Sequence, residues 1–367
     1  MHGMSLLYSV QGTWLGRSRG ALARAALAFG AAAYTAFSLG QPAPAAAGIS
    51  TCPVITPWRG PIFDAMAQTN QEQGSDRIFQ VAQSVGVLRM ALFARTYRRQ
   101  DGREVVAQLS RDHPGFLVVG SPKRFDMRGD LDSAYVSDTL SGVAAGRYAF
   151  VGEILYTHGD KEVGEQTSTG ERYIDPLQPQ TARLIQGLAG KQVPIFTHWE
   201  AYDWARDAPR FDTLYSRYPD QVFVWPHAGV ASSSQLAGEL QAHPNLWATL
   251  SKKENLRLGF SDARQAEALG APLMDDCGVL DPAWLDVMVR FHDRLMFATD
   301  AHNSRRWSRY EEIVRTWRRL LAQLPADVAK EIAWGNAMRL FGGDSRATTV
   351  GSPIPASGKG DSAEGKK

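Results

Sequence analysis

The chain has 367 residues, with 40 lysines and arginines against 38 aspartates and glutamates. This near balance, with no basic block, argues against nucleic acid or an anionic membrane as the main partner and leaves a small molecule as the expected ligand. Cys52 and Cys277 are the only cysteines, so a disulfide-rich scaffold is excluded, while a single bridge and two unpaired thiols both stay open. The sequence carries no signal for an oligomeric state.

The first 47 residues have the pattern of a secretory signal. A cationic region ends at Arg24, an apolar stretch runs from Ala25 to Leu39, and Ala45 and Ala47 fit an A-x-A cleavage site. The alternative is a membrane anchor, but the apolar stretch is short for a bilayer core of about 30 Å. We therefore predict a signal peptide over residues 1–47, an exported mature protein that is periplasmic or secreted, and no stable membrane insertion after cleavage.

Residues 48–343 are predicted to form one domain, and residues 344–367, rich in Gly, Ser, Pro and Lys, a disordered tail. Eight apolar runs follow one another: Ile62–Gln68, Val85–Ala94, Phe116–Gly120, Tyr148–Leu155, Pro194–Trp199, Val222–Ala228, Leu246–Ser251 and Leu295–Asp300. Most are continuous rather than alternating, as in strands covered on both faces.

Helical patterns such as Thr181–Leu188 and Pro282–His292 lie between these strands, and an apolar stripe from Ile313 to Leu324 follows the last one. Eight alternations of strand and helix favour a closed (β/α)8 TIM barrel, an α/β fold, over an open doubly wound sheet. The absence of a Gly-rich phosphate fingerprint after the first strand points the same way, so no nucleotide cofactor is expected.

Four strands carry polar residues that a purely structural strand does not need. Glu153 lies late in the fourth strand, and His198, His227 and Asp300 end the fifth, sixth and eighth strands. In a barrel these positions converge on the catalytic face. A single histidine there is more often structural, but two histidines and two carboxylates together are hard to explain as packing, because buried carboxylates are costly unless they are paired or bound to metal.

The motifs together resemble the amidohydrolase-related branch of the amidohydrolase superfamily over about residues 61 to 342. They are a Gly-Glu fourth strand, a His-ended fifth, a Pro-His-x-Gly sixth, a Thr-Asp eighth and the closing segment Gly335–Phe341. Such proteins are metal-dependent barrels that hydrolyse amides, esters and lactones or, in one branch, decarboxylate aromatic or unsaturated acids. The resemblance implies that His198 and His227 bind metal, that Asp300 binds metal and shuttles protons, and that Glu153 is the fourth-strand carboxylate found in some members.

The first strand departs from the family's Asp-x-His-x-His pattern. Met66 and Gln68 occupy the two histidine positions after Asp64, and neither a thioether nor a neutral amide is a good ligand for a borderline divalent ion. Two interpretations stay open. Either one metal remains on His198, His227 and Glu153, or the barrel holds no metal and binds a small ligand without catalysis.

The first interpretation is chemically sufficient, because three protein ligands leave a catalytic zinc with an open position and lower the pKa of its water to about 7. We expect one Zn²⁺, with Mn²⁺ or Fe²⁺ as alternatives, and Asp300 as the general base. His158 and His302 are accessory candidates that could replace a lost ligand or orient substrate.

Long connections at 156–176 and 252–280 predict lids or binding segments. Aromatic and cationic residues follow the strands, namely Trp199, Tyr202, Trp204, Arg95, Arg98, Lys252, Lys253, Arg305 and Arg306. They predict a barrel mouth that combines aromatic walls with cations and so favour an anionic substrate, although the charges could simply solvate exposed loops. The leading hypothesis is a hydrolase of an amide, ester or lactone bond, followed by a decarboxylase and then by a catalytically inactive binding barrel.

Overall fold

The structure, a computed structural model, describes residues 52–97, 100–124, 130–159, 172–251 and 273–342. The predicted signal segment and tail lie outside these ranges. The barrel strands, in chain order, are β1 (Ile62–Thr69), β2 (Val87–Tyr97), β3 (Leu117–Arg124), β4 (Val151–Leu155), β5 (Ile195–His198), β6 (Phe223–Trp225), β7 (Leu246–Thr249) and β8 (Leu295–Met296).

Each strand lies beside the next one in chain order, and the contacts are parallel. A bridge between Gly120 and Phe150 joins β3 to β4. The ring closes between β8 and β1, where the Ala65 amide donates to the Phe297 carbonyl at 3.0 Å and the Asp300 amide donates to the Met66 carbonyl at 2.9 Å. The predicted closed α/β barrel is therefore present, with no free edge between its first and last strands.

Helices follow the strands around the ring. They are α1 (Ser75–Ser84), α2 (Arg103–Asp112), α3 (Ser133–Ala144), α4 (Pro179–Leu188), α5 (Trp204–Arg217), α6 (Ser233–Ala242), α7 (Pro282–Arg290), α8 (Ser304–Trp307), α9 (Tyr310–Leu321), α10 (Ala326–Lys330) and α11 (Asn336–Phe341), with a 3-10 turn at Ala201–Asp203 and a π turn at Glu331–Gly335. Asp281 caps α7 by accepting from the Ala283 and Trp284 amides. Among the described residues, every helix is too short or too polar to span a bilayer.

Short two-residue strands lie outside the ring. Gln100–Asp101 pairs with the end of β2, and Thr157–His158 pairs antiparallel with Arg172–Tyr173 beyond β4. The second pair lies within the connection 156–176, which the sequence predicted to be a long loop. Residues 160–171 of that connection, and 252–272 of the other predicted loop, lie outside the described part of the chain.

The amino-terminal part of the barrel interior is filled by aromatic side chains. Phe63, Phe150 and Phe196 lie at the starts of their strands, and Phe341 of the closing helix packs against all three with ring centroids 5.3 to 6.2 Å apart. A second apolar layer packs between the strands and the helices. Because the amino-terminal part of the interior is apolar, the polar groups of the barrel lie at the carboxyl ends of the strands.

Strands β6 and β8 end earlier than the sequence predicts. The predicted runs Val222–Ala228 and Leu295–Asp300 are strands only as far as Trp225 and Met296, and beyond these ends His227 and Asp300 have φ values of 42° and 46°. An L-residue in the left-handed region cannot continue a strand and is strained unless its surroundings hold it there. Strained backbone of this kind is typical of functional sites, and here it lies at two of the predicted site residues.

The two cysteines form a disulfide. Cys52, before β1, is bonded to Cys277, before α7, with their Cα atoms 5.1 Å apart. Of the two alternatives that the sequence left open, the bridge is therefore the one in the structure.

Candidate active site

Three of the predicted site residues meet at the carboxyl ends of β4 to β6. The Nδ1 atom of His198 lies 2.5 Å from Oε1 of Glu153, and Nε2 of His227 lies 3.3 Å from the same His198 nitrogen. His227 Nε2 is 3.9 Å from Glu153 Oε1. All three residues are buried, so two imidazoles and a carboxylate face one another out of contact with bulk water.

Gln68 of β1 connects the fourth predicted residue, Asp300, to this group. Its Nε2 atom donates to Glu153 Oε2 at 3.0 Å and to Asp300 Oδ1 at 2.7 Å. Met66 lies deeper, among the apolar side chains of the barrel interior. The residue at the second histidine position of the family pattern is therefore a hydrogen-bond donor that links two carboxylates.

Lys123 of β3 is a site residue that the sequence reasoning missed. It is buried, and its ammonium forms a salt bridge with Glu153 Oε2. Burial alone would raise the pKa of Glu153, but the Lys123 ammonium and the two imidazoles outweigh burial and hold the pKa well below its usual value. Burial lowers the pKa of Lys123 to about 8, against the opposing effect of Glu153. The third strand was predicted to end at Gly120, so its extension to Lys123 was the missing signal.

A second group of metal-binding side chains lies on the other side of the His198 ring. His198 Nε2 is 3.4 Å from Glu200 Oε1, and the His158 and His198 rings stack with centroids 5.6 Å apart. The Gly159 amide donates to Glu200 Oε2 at 2.8 Å. His158, His198 and Glu200 offer ligand atoms within 4.8 Å of one another. Glu200 was missed because it follows the strand end rather than lying in it.

The other accessory candidate, His302, lies beside Asp300 and not beside the histidines. Its Nδ1 atom is 2.7 Å from the Asp300 carbonyl oxygen and 3.8 Å from Asp300 Oδ2. Arg95 of β2 hydrogen-bonds to the His302 carbonyl. These contacts fix the backbone on which Asp300 is carried.

Asp64 braces the seam between β1 and β8. It accepts from the Thr299 amide at 2.9 Å, from the Thr299 hydroxyl at 2.6 Å and from the Tyr310 hydroxyl at 2.9 Å. Burial raises the pKa of Asp64 to about 6 despite these hydrogen bonds. Asp64, the acidic residue of the first-strand pattern, therefore has a structural role: it holds Thr299, the residue next to Asp300.

The predicted aromatic wall is wrong for Trp199. Its ring is fully buried and stacks on Trp225 and Phe211 with centroids 4.2 and 4.8 Å apart, in the layer between strands and helices. The side chain of a strand residue that follows an inward-facing neighbour points outward, and Trp199 follows His198. Arg98, Lys252 and Lys253 lie outside the described residues.

The ligand atoms of Glu153, His198 and His227 fit one divalent ion. Zinc ligands in a tetrahedral site with bonds of about 2.0 Å are separated by about 3.3 Å, and the separations between His227 Nε2 and the other two atoms, 3.3 and 3.9 Å, are close to that value. The 2.5 Å between His198 Nδ1 and Glu153 Oε1 is a hydrogen-bond distance, which has to lengthen when an ion binds between the two atoms. Three buried atoms at strand ends, Gln68 Oε1, His198 Nε2 and Ser251 Oγ, find no hydrogen-bond partner in the described part of the chain. Such atoms are expected where an ion or ligand binds. Met66 and Gln68 do not fit a second ion.

A closed α/β barrel with imidazoles and carboxylates gathered at its strand ends has the architecture in which barrel enzymes carry their active sites. The model of the family described as amidohydrolase matches residues 145–343. Because that range is more than half of the sequence, the chain belongs to the amidohydrolase family.

One solved structure that matches at a TM-score of 0.50 agrees on the fold, and two further matches are weaker. A putative 2-pyrone-4,6-dicarboxylic acid hydrolase from Pseudomonas putida is 14% identical with a TM-score of 0.50, and the match covers 77% of this chain and 97% of that one. A probable 2-pyrone-4,6-dicarboxylic acid hydrolase from Acinetobacter baumannii, with citric acid bound, is 10% identical with a TM-score of 0.46, covering 77% and 100%. A 2,6-dihydroxybenzoate decarboxylase from Rhizobium is 14% identical with a TM-score of 0.45, covering 73% and 88%. No curated protein matches the sequence.

Proposed function

We propose that this protein is a hydrolase that cleaves an amide, ester or lactone bond of a small molecule with water activated by one divalent ion. The observation that supports this proposal is the buried convergence of Glu153, His198 and His227, joined to Asp300 through Gln68. When bound, the ion supplies Lewis-acid activation of water and stabilises negative charge at the scissile carbonyl.

Asp300 is the general base in this proposal. It removes a proton from the attacking water and returns it to the leaving group, which requires hydrogen-bond reach and a fixed orientation. The Gln68 side-chain amide donates a hydrogen bond to Asp300 Oδ1. The left-handed backbone at Asp300 is held by the hydrogen bond that the Asp300 backbone amide donates to the Met66 carbonyl. Lys123 and Gln68 together occupy Glu153 Oε2, so Oε1 is the carboxylate oxygen that faces the histidines.

An anionic substrate is part of the proposal. Arg95 lies near the carboxyl end of β2, whereas the Lys123 ammonium at the end of β3 is paired with Glu153. The Arg95 guanidinium favours a substrate that carries a carboxylate at this end of the barrel. The same observation favours a second candidate function, decarboxylation of an aromatic or unsaturated acid, in which Asp300 would deliver the proton that replaces the lost carboxylate.

Export from the cytoplasm is also proposed. A disulfide between Cys52 and Cys277 is stable in an oxidising compartment and rare in the cytosol. The bridge supports the prediction made from the amino-terminal signal pattern, and the location that we propose is periplasmic or secreted.

The activity test uses mature protein reconstituted with zinc, manganese or iron and a panel of lactones, esters, amides and aromatic acids. Asp300→Asn should lower kcat/KM about 10³-fold while the metal content stays unchanged, because a general base contributes roughly 10² to 10⁴. His227→Ala should lose both the metal and the activity. Asp286→Asn and His292→Ala, at residues outside the cluster, are matched controls and should retain activity.

Each outcome of this test has a distinct reading. Release of carbon dioxide identifies the second candidate. Ligand-induced stabilisation without turnover identifies a binding barrel. Equal turnover by wild type, Asp300→Asn and His227→Ala places the chemistry elsewhere and overturns the proposal.

A further inference from the structure

A separate cluster of metal-binding side chains lies in the helical layer, outside the barrel. Asp212 is on α5, Glu239 is on α6, and His243 follows the end of α6. His243 Nε2 lies 2.8 Å from Asp212 Oδ1 and 3.9 Å from Glu239 Oε2. The cluster shares no residue with the barrel group and offers three ligand atoms within 4.8 Å of one another.

The fold brings these residues together for a local reason. Glu239 and His243 are four residues apart at the end of α6 and so lie on one face of the helix, turned toward α5. The Tyr215 ring of α5 packs edge-on against the His243 ring with centroids 5.4 Å apart. Glu239 and His243 are each 5% exposed, whereas the Asp212 side chain is 48% exposed, so the cluster is enclosed on one side and open on the other.

Glu239 lies beside the Asp212 carboxylate, with which its protonated carboxyl group shares a hydrogen bond. Its Oε2 atom is buried and finds no hydrogen-bond partner among the described residues. No lysine or arginine of the described ranges forms an ion pair with Glu239 or Asp212. Burial, followed by the neighbouring Asp212 carboxylate, raises the pKa of Glu239 to about 8. A buried carboxyl group beside a second carboxylate is costly unless something positive lies between them.

We propose that Asp212, Glu239 and His243 bind a divalent ion of the zinc class that joins α5 to α6. One imidazole nitrogen and two carboxylate oxygens form a ligand set that suits Zn²⁺ or another borderline transition ion. The separations of 2.8 and 3.9 Å lie on either side of the roughly 3.3 Å expected between ligands of a tetrahedral zinc. The exposed side of Asp212 gives the ion access from solvent and leaves room for water as a fourth ligand.

The test is a zinc titration of the chelator-stripped full-length mature protein by isothermal calorimetry. Whatever the barrel group binds, His243→Asn and Glu239→Gln should each bind one equivalent of zinc fewer than the wild type. His292→Asn, at a histidine outside both clusters, is the matched control and should keep the wild-type stoichiometry. When the free zinc concentration is a hundred times the Kd of the site formed by Asp212, Glu239 and His243, binding there should raise the Tm by about 5 °C. This increment should disappear in His243→Asn.

Unchanged zinc stoichiometry in both His243→Asn and Glu239→Gln overturns the proposal. Circular dichroism of the stripped variants shows whether they are folded. If either is not, Asp212→Asn decides, because its side chain is half exposed and its replacement leaves the buried residues in place. Zinc binding at least tenfold weaker than wild type in Asp212→Asn supports the site, and unchanged affinity contradicts it.

Discussion

The two halves of the barrel contribute different chemistry to the same cluster. The second half, β4 to β8, lies within the range matched by the amidohydrolase family model and provides Glu153, His198, His227 and Asp300. The first half, β1 to β3, lies before that range and provides Gln68 and Lys123. One half therefore carries carboxylates and imidazoles, and the other carries N–H donors that hydrogen-bond to them.

This division has a simple electrostatic basis. Two buried carboxylates near each other are unfavourable unless positive charge or hydrogen-bond donors compensate them. In the first half, the Lys123 ammonium and the Gln68 amide supply that compensation at Glu153 Oε2 and Asp300 Oδ1. With the Lys123 ammonium and the Gln68 amide engaged in this way, the second half supplies the ligands of the single ion that we propose.

Replacing Lys123 should have the largest effect, because it removes the charge by which the first half of the barrel compensates Glu153 of the second half. Lys123→Met leaves Glu153 buried without its ammonium partner, so the free energy of unfolding of the metal-free protein should fall by about 3–5 kcal/mol. Chemical denaturation of stripped protein measures this loss. Zinc should recover part of it, since a bound ion replaces the missing charge.

Two variants control this experiment. Lys191→Met changes an exposed lysine and should alter stability by no more than about 0.5 kcal/mol. The double variant Lys123→Met, Glu153→Gln removes both charges and should be more stable than Lys123→Met alone. Equal stability of the two single lysine variants would contradict a compensating role for Lys123.

The seam between the halves should show a smaller, pH-dependent effect centred on Asp64. Its pKa is raised from 3.8 to about 6, so the folded state holds the proton more tightly than the unfolded state. The stabilisation is complete below pH 4 and is lost as the pH rises through 6. Between pH 4 and 7 the unfolding free energy of the wild type should therefore fall by about 2 kcal/mol relative to that of Asp64→Asn.

Urea denaturation at several pH values measures this shift. Asp286→Asn, in an exposed ion pair with Arg290, is the matched control and should show a nearly constant difference from wild type over the same range. A pH-independent difference for Asp64→Asn would show that Asp64 does not titrate near pH 6 in the folded protein.

The sequence was sufficient to predict the barrel and the meeting of Glu153, His198 and His227, because strand periodicity fixes which end of the ring each residue reaches. It could not predict Lys123, because a lysine at the end of a short apolar run reads as a solvated loop residue until the strand's true length is known. Trp199 was misplaced because an aromatic residue beside a site histidine alternates to the opposite face. The Cys52–Cys277 pairing depended on contacts between segments separated by 225 residues.

The central claim is that one ion binds between Glu153, His198 and His227 of the second half. The first half supplies only the hydrogen-bond donors Gln68 and Lys123. Anomalous diffraction at the zinc absorption edge, from crystals of the mature protein grown with zinc, tests it directly. The account predicts a peak within about 2.0–2.2 Å of Glu153 Oε1 and of one nitrogen each of His198 and His227, and no peak bonded to Gln68. Absence of density between those three residues, or an ion ligated by Gln68, would contradict it.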